Sequence, residues 1–183
     1  GFLALKEGFS EGGDYFEGID WSRTQAYTFG LAGIYLNLCG REAHGIVPPD
    51  QATKLKAELI QRLAGLAEPT GEVAIQNIYD AQVIYKGPYT DAAPDLIVGY
   101  AAGYRASWSV AVGKVTASVF EENSKCWSGD HCVDPSLVPG VLFSNQKLQV
   151  DNPGIEDMAP TALRLFGIEP PKWMEGRALL PVT

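Results

Sequence analysis

The sequence predicts an α/β protein built on a sheet, and three observations carry that expectation. Leu96–Tyr100 is a continuous apolar run, as in a central strand buried on both faces. Leu55, Leu59, Leu63 and Leu66 recur at helical spacing, with Lys54, Lys56, Glu58, Gln61 and Arg62 mostly between them, which describes an amphipathic helix. Segments of the two kinds interleave along the chain, the pattern of helices packed on a sheet.

The remaining elements follow from local chemistry. Phe2–Lys6 reads as a short strand, followed by a loop with Gly8, Gly12 and Gly13. Thr24–Phe29 and Gly33–Leu38 are rich in β-branched and aromatic residues and are separated by glycine, so they read as two mostly buried strands. Pro48-Pro49-Asp50 signals the start of the leucine helix, with Asp50 as its N-cap, and Gly65 and Pro69 close it. Val73–Ile78 reads as a strand, followed up to Tyr85 by a short helical turn. Residues 101–130 have little periodicity and many Gly, Ser and Trp residues, the composition of a loop that builds or covers a site. Val141–Ser144 reads as a further buried strand. Asp157–Phe166 reads as a helix that tolerates Pro160 in its first turn and ends at Gly167.

A length of 183 residues suits one domain spanning 1–183, and no repeat, low-complexity tract or linker interrupts it. An apolar fraction of 46% and a charged fraction of 20% describe a globular chain rather than a disordered one. The 14 basic and 22 acidic residues give a net charge of −8, the wrong sign for a nucleic-acid polymer as main partner. A net-negative protein still binds phosphate esters when metal ions supply positive charge locally. No basic, apolar leader opens the chain, and its longest uncharged stretch falls short of a membrane span. With 2 His and 3 Cys, any metal site must rest mainly on carboxylates. The cysteines lack CxxC spacing, although a Cys126–Cys132 bridge is open to an oxidising compartment.

The densest chemistry lies in Trp127-Ser128-Gly129-Asp130-His131-Cys132-Val133-Asp134-Pro135. His131 reads either as a ligand of a divalent metal, oriented from behind by Asp130 or Asp134, or as a loop histidine hydrogen-bonded to a neighbouring Asp. Spacing leaves both readings open. A Ser128–His131–Asp triad is a weaker reading, because no GxSxG elbow is present. His44 reads as a surface histidine, and Arg41 as the ion-pair partner of Glu42 on a solvated turn rather than a contact for an anionic substrate. Cys126 and Cys132 read as small core residues, and Trp108 and Trp127 as hydrophobic cover. Neither GxGxxG nor GxxxxGK[ST] occurs, so no backbone phosphate cradle of those kinds is indicated.

Taken in order, five groups of segments resemble the alkaline phosphatase superfamily, and most closely its type I phosphodiesterase/nucleotide pyrophosphatase-like branch. They are Asp20–Tyr27; Gly33–Leu38 with Gly40-Arg41-Glu42; Ala93–Gly99; Ser128–His131 with Pro139-Gly140-Val141; and Asp157–Thr161 with Leu165–Ile168. The resemblance implies an α/β/α three-layer sandwich around a mainly parallel sheet. It also implies two divalent metals, usually zinc, held by three Asp and three His beside a Thr or Ser nucleophile. Gly129-Asp130-His131 matches the family's C-terminal Gly-x-His-Gly motif, with Cys132 in place of the final Gly. His131 is thereby implied as a metal ligand, and Asp130 and Asp134 as supporting residues. The nucleophile and the other ligands would lie upstream of Gly1, whose place at the head of the chain lacks an initiator Met.

The resemblance therefore implies the C-terminal part of a metal-dependent phosphoesterase acting on a small-molecule phosphate ester, silent without the remainder of its own catalytic domain. A non-catalytic domain that kept the fold, and a metal-independent hydrolase using Ser128 and His131, are the competing expectations.

Overall fold

A computed structural model describes residues 1–126, 129 and 131–180. It contains four strands, β1 (Ala26–Phe29), β2 (Gly33–Leu36), β3 (Ile75–Asp80) and β4 (Leu96–Tyr100). The helices are α1 (Ala52–Leu63), α2 (Ala81–Ile84), α3 (Trp108–Ala111) and α4 (Met158–Leu165).

The strands form one sheet in the order β1-β2-β4-β3, and every pairing is antiparallel. This overturns the mainly parallel sheet of an α/β/α three-layer sandwich. The reason is topological. The short connection at Gly30–Ala32 turns β1 straight back on β2 as a hairpin. The β2–α1–β3 segment does carry the chain across so that β2 and β3 run the same way, as sequence interleaving suggests. Strand β4, however, lies between them and runs against both. Periodicity reveals strands and helices, but it carries no information on which strand is inserted where.

The core lies between α1 and the sheet. Leu55 and Leu59 of α1 cluster with Ala26, Ile34, Leu36, Val47, Ile78, Leu96 and Val98. Strand β4 is the interior strand it was expected to be, with Leu96 fully buried. Strand β1 buries only Ala26 and turns Thr28 and Phe29 outward, so it is an edge rather than a mostly buried strand.

Other boundaries moved for local reasons. Pro49–Gln51 form a 3-10 turn preceding α1, so Asp50 sits inside that turn instead of capping the helix. Phe2–Lys6 forms a single bridge, Leu5 to Ile19, rather than a strand. Val141–Ser144 is not a strand either, and Phe143 there is 92% exposed. That run is apolar, but among the described residues no strand pairs with it.

The chain divides into two compact units, the first ending at Pro139. In the second, α4 begins with Pro160 in its first turn and stops before Gly167, whose φ of +68° suits a residue without a Cβ. The Asp157 carboxylate accepts from the amides of Arg177 (2.6 Å) and Gly154 (3.0 Å), which hold it below the usual carboxylate range against the opposing effect of burial. Thr161 Oγ1 accepts from Leu179 N at 2.9 Å, and Leu179 is buried. These bonds seat the 177–179 segment on α4.

Candidate functional site

Two polar constructions stand at opposite ends of the sheet. The first is at the exit of β2. In the antiparallel register Ile34 faces Leu96, so the positions opposite Tyr35 and Leu36 are Asp95 and Pro94. A proline has no N–H to donate, and strand pairing stops there. Side chains complete it. Asp95 Oδ2 accepts from Leu36 N at 2.7 Å, and Arg41 Nη2 donates to Leu36 O at 2.9 Å. The guanidinium is bidentate on Asp95, with 2.6 Å from Nη2 and 3.1 Å from Nη1, and its Nε donates to Glu42 at 2.8 Å. Burial acts against the charge of Arg41, but its hydrogen bonds to Asp95 and Glu42 outweigh this and raise its pKa.

Asn37, fully buried, extends this construction. Its Nδ2 lies within hydrogen-bond distance of the carbonyls of Trp21 (3.2 Å), Thr24 (2.9 Å) and His44 (3.0 Å). It thereby ties the segment before β1 to the turn holding Arg41. Tyr27 and Tyr35 stack across the hairpin at 5.4 Å, and Trp21 and Phe16 meet Tyr27 edge-on. Burial, and then the charge of Glu42, push the Tyr27 phenol up to about 12.

Two clefts open beside this construction. One, of about 300 Å³, is lined among others by Arg41, Lys56, Thr90, Asp91 and Asp95. The other, of about 460 Å³, is lined by Tyr27, Tyr35, Arg41, Glu42, Tyr89 and Asp91 among others. Arg41 is committed to Asp95, and Lys56 lies 2.6 Å from Asp80. Charges on the cleft walls therefore balance or lean negative, and neither cleft is a ready cradle for a bare anion. Arg41 does pair with Glu42, as its neighbourhood in the sequence suggests. Its stronger partner Asp95 was missed, because nothing in a local pattern links residues that far apart.

The second construction centres on Asp134, which is fully buried. Its Oδ2 accepts from Asn77 Nδ2 (2.9 Å) and Tyr79 Oη (2.8 Å), both on β3. Its Oδ1 accepts from Ser136 N (2.9 Å) and Ser136 Oγ (2.6 Å), which also caps the 3-10 turn Pro135–Leu137. Burial pushes the carboxyl up, yet these four donors bring it down to about 2. Burial, and then the bond to Asp134, raise the Tyr79 phenol. The sequence signal for Asp134 was its place in the 127–135 cluster. Asn77 fell within the strand expected over Val73–Ile78, but Tyr79 lay past its end, whereas β3 runs on to Asp80 and puts both on one face.

His131 is exposed, three residues before Asp134. Trp127, Ser128 and Asp130 lie outside the described residues, and with them the Ser128–His131 pairing and the role of Asp130. His44 is exposed, and its carbonyl accepts from Asn37. Cys39 and Cys126 are exposed and Cys132 is half-buried, and none of the three is in a disulfide, so Cys126 is not the core residue expected. Trp108 carries the Arg105 guanidinium over its ring at 4.7 Å.

An imidazole on an anchored loop suits zinc as one ligand. Among the described residues, however, no three of His, Cys, Asp and Glu gather where they would hold a metal ion. A two-metal centre is therefore not made by these residues alone. Among them, too, no helix is long and apolar enough to cross a membrane. The chain matches no protein-family model, no curated protein and no solved structure.

Proposed function

We propose that this chain is the C-terminal part of a metal-dependent phosphoesterase resembling the type I phosphodiesterase/nucleotide pyrophosphatase-like branch of the alkaline phosphatase superfamily. It acts on a small-molecule phosphate ester and contributes His131 as one ligand of a site with two divalent metals. Zinc suits an imidazole ligand, and residues outside this chain complete the site in the intact enzyme. The reading rests on the motif residues and not on sheet direction.

One observation supports it above the others: motif segments far apart in sequence meet around one sheet. Asp20–Tyr27 is tied through Asn37 to the β2 segment, and that segment through Leu36 and Arg41 to Asp95 in Ala93–Gly99. The segment after His131 is tied through Asp134 to the far side of the same sheet. When bound, the metals would supply Lewis acidity toward phosphoryl oxygens. The chain's own part is to hold the His131 loop and the Arg41 turn in place.

The test is hydrolysis of nitrophenyl phosphate mono- and diesters with added zinc. The expected result is no turnover by this chain, turnover by the chain joined to its native upstream sequence, and loss of that turnover in His131→Ala. Robust turnover by this chain alone, or full activity of the longer His131→Ala enzyme, would overturn the reading.

A further inference from the structure

Between Gly113 and Pro139, Asp134 is the one buried residue among those described; residues 117–126 are exposed apart from Phe120, and so is His131. The loop that carries His131 thus meets the protein interior at a carboxylate, where an apolar anchor would be the ordinary choice. A carboxylate offers about four lone-pair positions, and all four are taken by Asn77, Tyr79, Ser136 N and Ser136 Oγ. With its oxygens filled and buried, Asp134 is not disposed to bind metal itself. Its amide donates to Tyr100 O at 2.8 Å, so backbone and side chain are both pinned to the sheet. The sheet is shaped for this. Asn77 faces Gly99 across the β3–β4 pair, and a Cβ at position 99 would overlap the Asp134 carboxylate.

We propose that Asp134, held by Asn77 and Tyr79 on β3 and admitted by Gly99 on β4, is the positioning residue for His131. This rests on the reading of His131 as a metal ligand for its functional meaning, but its geometry does not. An apolar plug would bury the loop equally well but would leave it free to rotate and slide. Two directional bonds from β3 to Oδ2, with the amide bond to Tyr100 O, fix the place and orientation of the chain at 134, and the two Ser136 bonds to Oδ1 hold the turn that follows. Three residues span at most about 11 Å, so His131 is tethered within that distance of a fixed point.

The experiment uses this chain without metal, and reads backbone amide exchange together with the His131 ring resonances. In Asp134→Asn, the amide at the substituted position and those of Ser136 and Leu137 should exchange at least about tenfold faster, relative to the change in the β1–β2 hairpin. The His131 ring signals should move toward those of an unstructured peptide. Tyr79→Phe removes one donor of four and should shift the same signals less; it serves alone if Asp134→Asn fails to fold. Unchanged His131 signals and 134–137 exchange would overturn the proposal, as would equal acceleration across the whole sheet, the mark of a general loss of stability. Loss of activity in the longer His131→Ala enzyme tests the functional reading separately, so either can fail while the other stands.

Discussion

Arg41 and Asp95, 54 positions apart, clamp the end of β2 by gripping each other and the two backbone groups of Leu36. The clamp stands where Pro94 prevents strand β4 from continuing the ladder. Replacing Asp95 with Ala leaves the Leu36 amide short of a partner, and with it the Arg41 guanidinium, whose side chain is only 30% exposed. The expected cost is about 1.5–3 kcal/mol, measured as a shift of the urea unfolding midpoint. Arg41→Lys should also destabilise, because an ammonium cannot reproduce the two-point contact with Asp95 while reaching Leu36 O. A midpoint unchanged by either substitution would show that the clamp is incidental.

What could be read in the sequence was what is local. Leu55 and Leu59 announced α1 because a helix repeats within a few residues, and Leu96–Tyr100 announced an interior strand because its apolar run is unbroken. Sheet direction was lost because it depends on β4 passing between β2 and β3, a fact about space. The Arg41–Asp95 and Tyr79–Asp134 bonds were lost for the same reason. His131 was singled out by resemblance to a motif, and Asp134 by its place beside it, but the donors that make Asp134 an anchor come from a strand 55 residues away or more.

Lys56 offers a test of how α1 is held on the sheet. It is 6% exposed, and its ammonium meets Asp80 Oδ2 at 2.6 Å and Gln82 Oε1 at 3.2 Å. Asp80 also accepts from Gln82 N at 3.0 Å at the start of α2. Asp80→Ala strands a buried cation and removes a cap, so a loss on the order of 3 kcal/mol is expected in chemical denaturation. Adding Lys56→Met should recover part of it, because the unpaired charge is then gone. A double variant no more stable than Asp80→Ala would put the loss on the cap instead.

Gly99 is open to an independent test. Gly99→Ala places a methyl group against the Asp134 carboxylate, and the loop must retreat or the strand must bend. The expected destabilisation is about 1–3 kcal/mol. In the Asp134→Ala background the obstruction is gone, and the added cost of Gly99→Ala should shrink. Additive effects of the two substitutions would mean that position 99 and Asp134 do not interact.

Acid should act on the same anchor. The Asp134 carboxyl sits at about 2 in the fold against an ordinary 3.8, so its folded state favours the charged form. Its contribution is present above about 4 and is lost as pH falls from there through about 2. Asp157, lowered by its own amide donors, adds to the acid sensitivity of the second unit. Unfolding midpoints measured from about pH 5 down to about pH 2 should fall less steeply in Asp134→Asn than in the parent chain. Equal slopes would show that the four donors do not hold the charge.

Alkali should act at the hairpin, with the opposite sign. The Tyr27 phenol is raised from 10.0 to about 12, first by burial and then by the charge of Glu42, so the fold favours its neutral form. The stability this confers is complete below pH 10 and is lost as pH climbs through 12. Tyr79 is also raised, which makes the comparison with a variant necessary. Tyr27→Phe keeps the ring stacked on Tyr35 but removes the ionisable hydroxyl, so its stability should decline less between about pH 10 and 12. Phenolate absorbance gives the matching readout: one late-titrating tyrosine should be missing from the variant. If the two proteins lose stability in parallel above about pH 10, the Tyr27 hydroxyl is solvated and the packing of Trp21, Phe16 and Tyr35 around it does not exclude water.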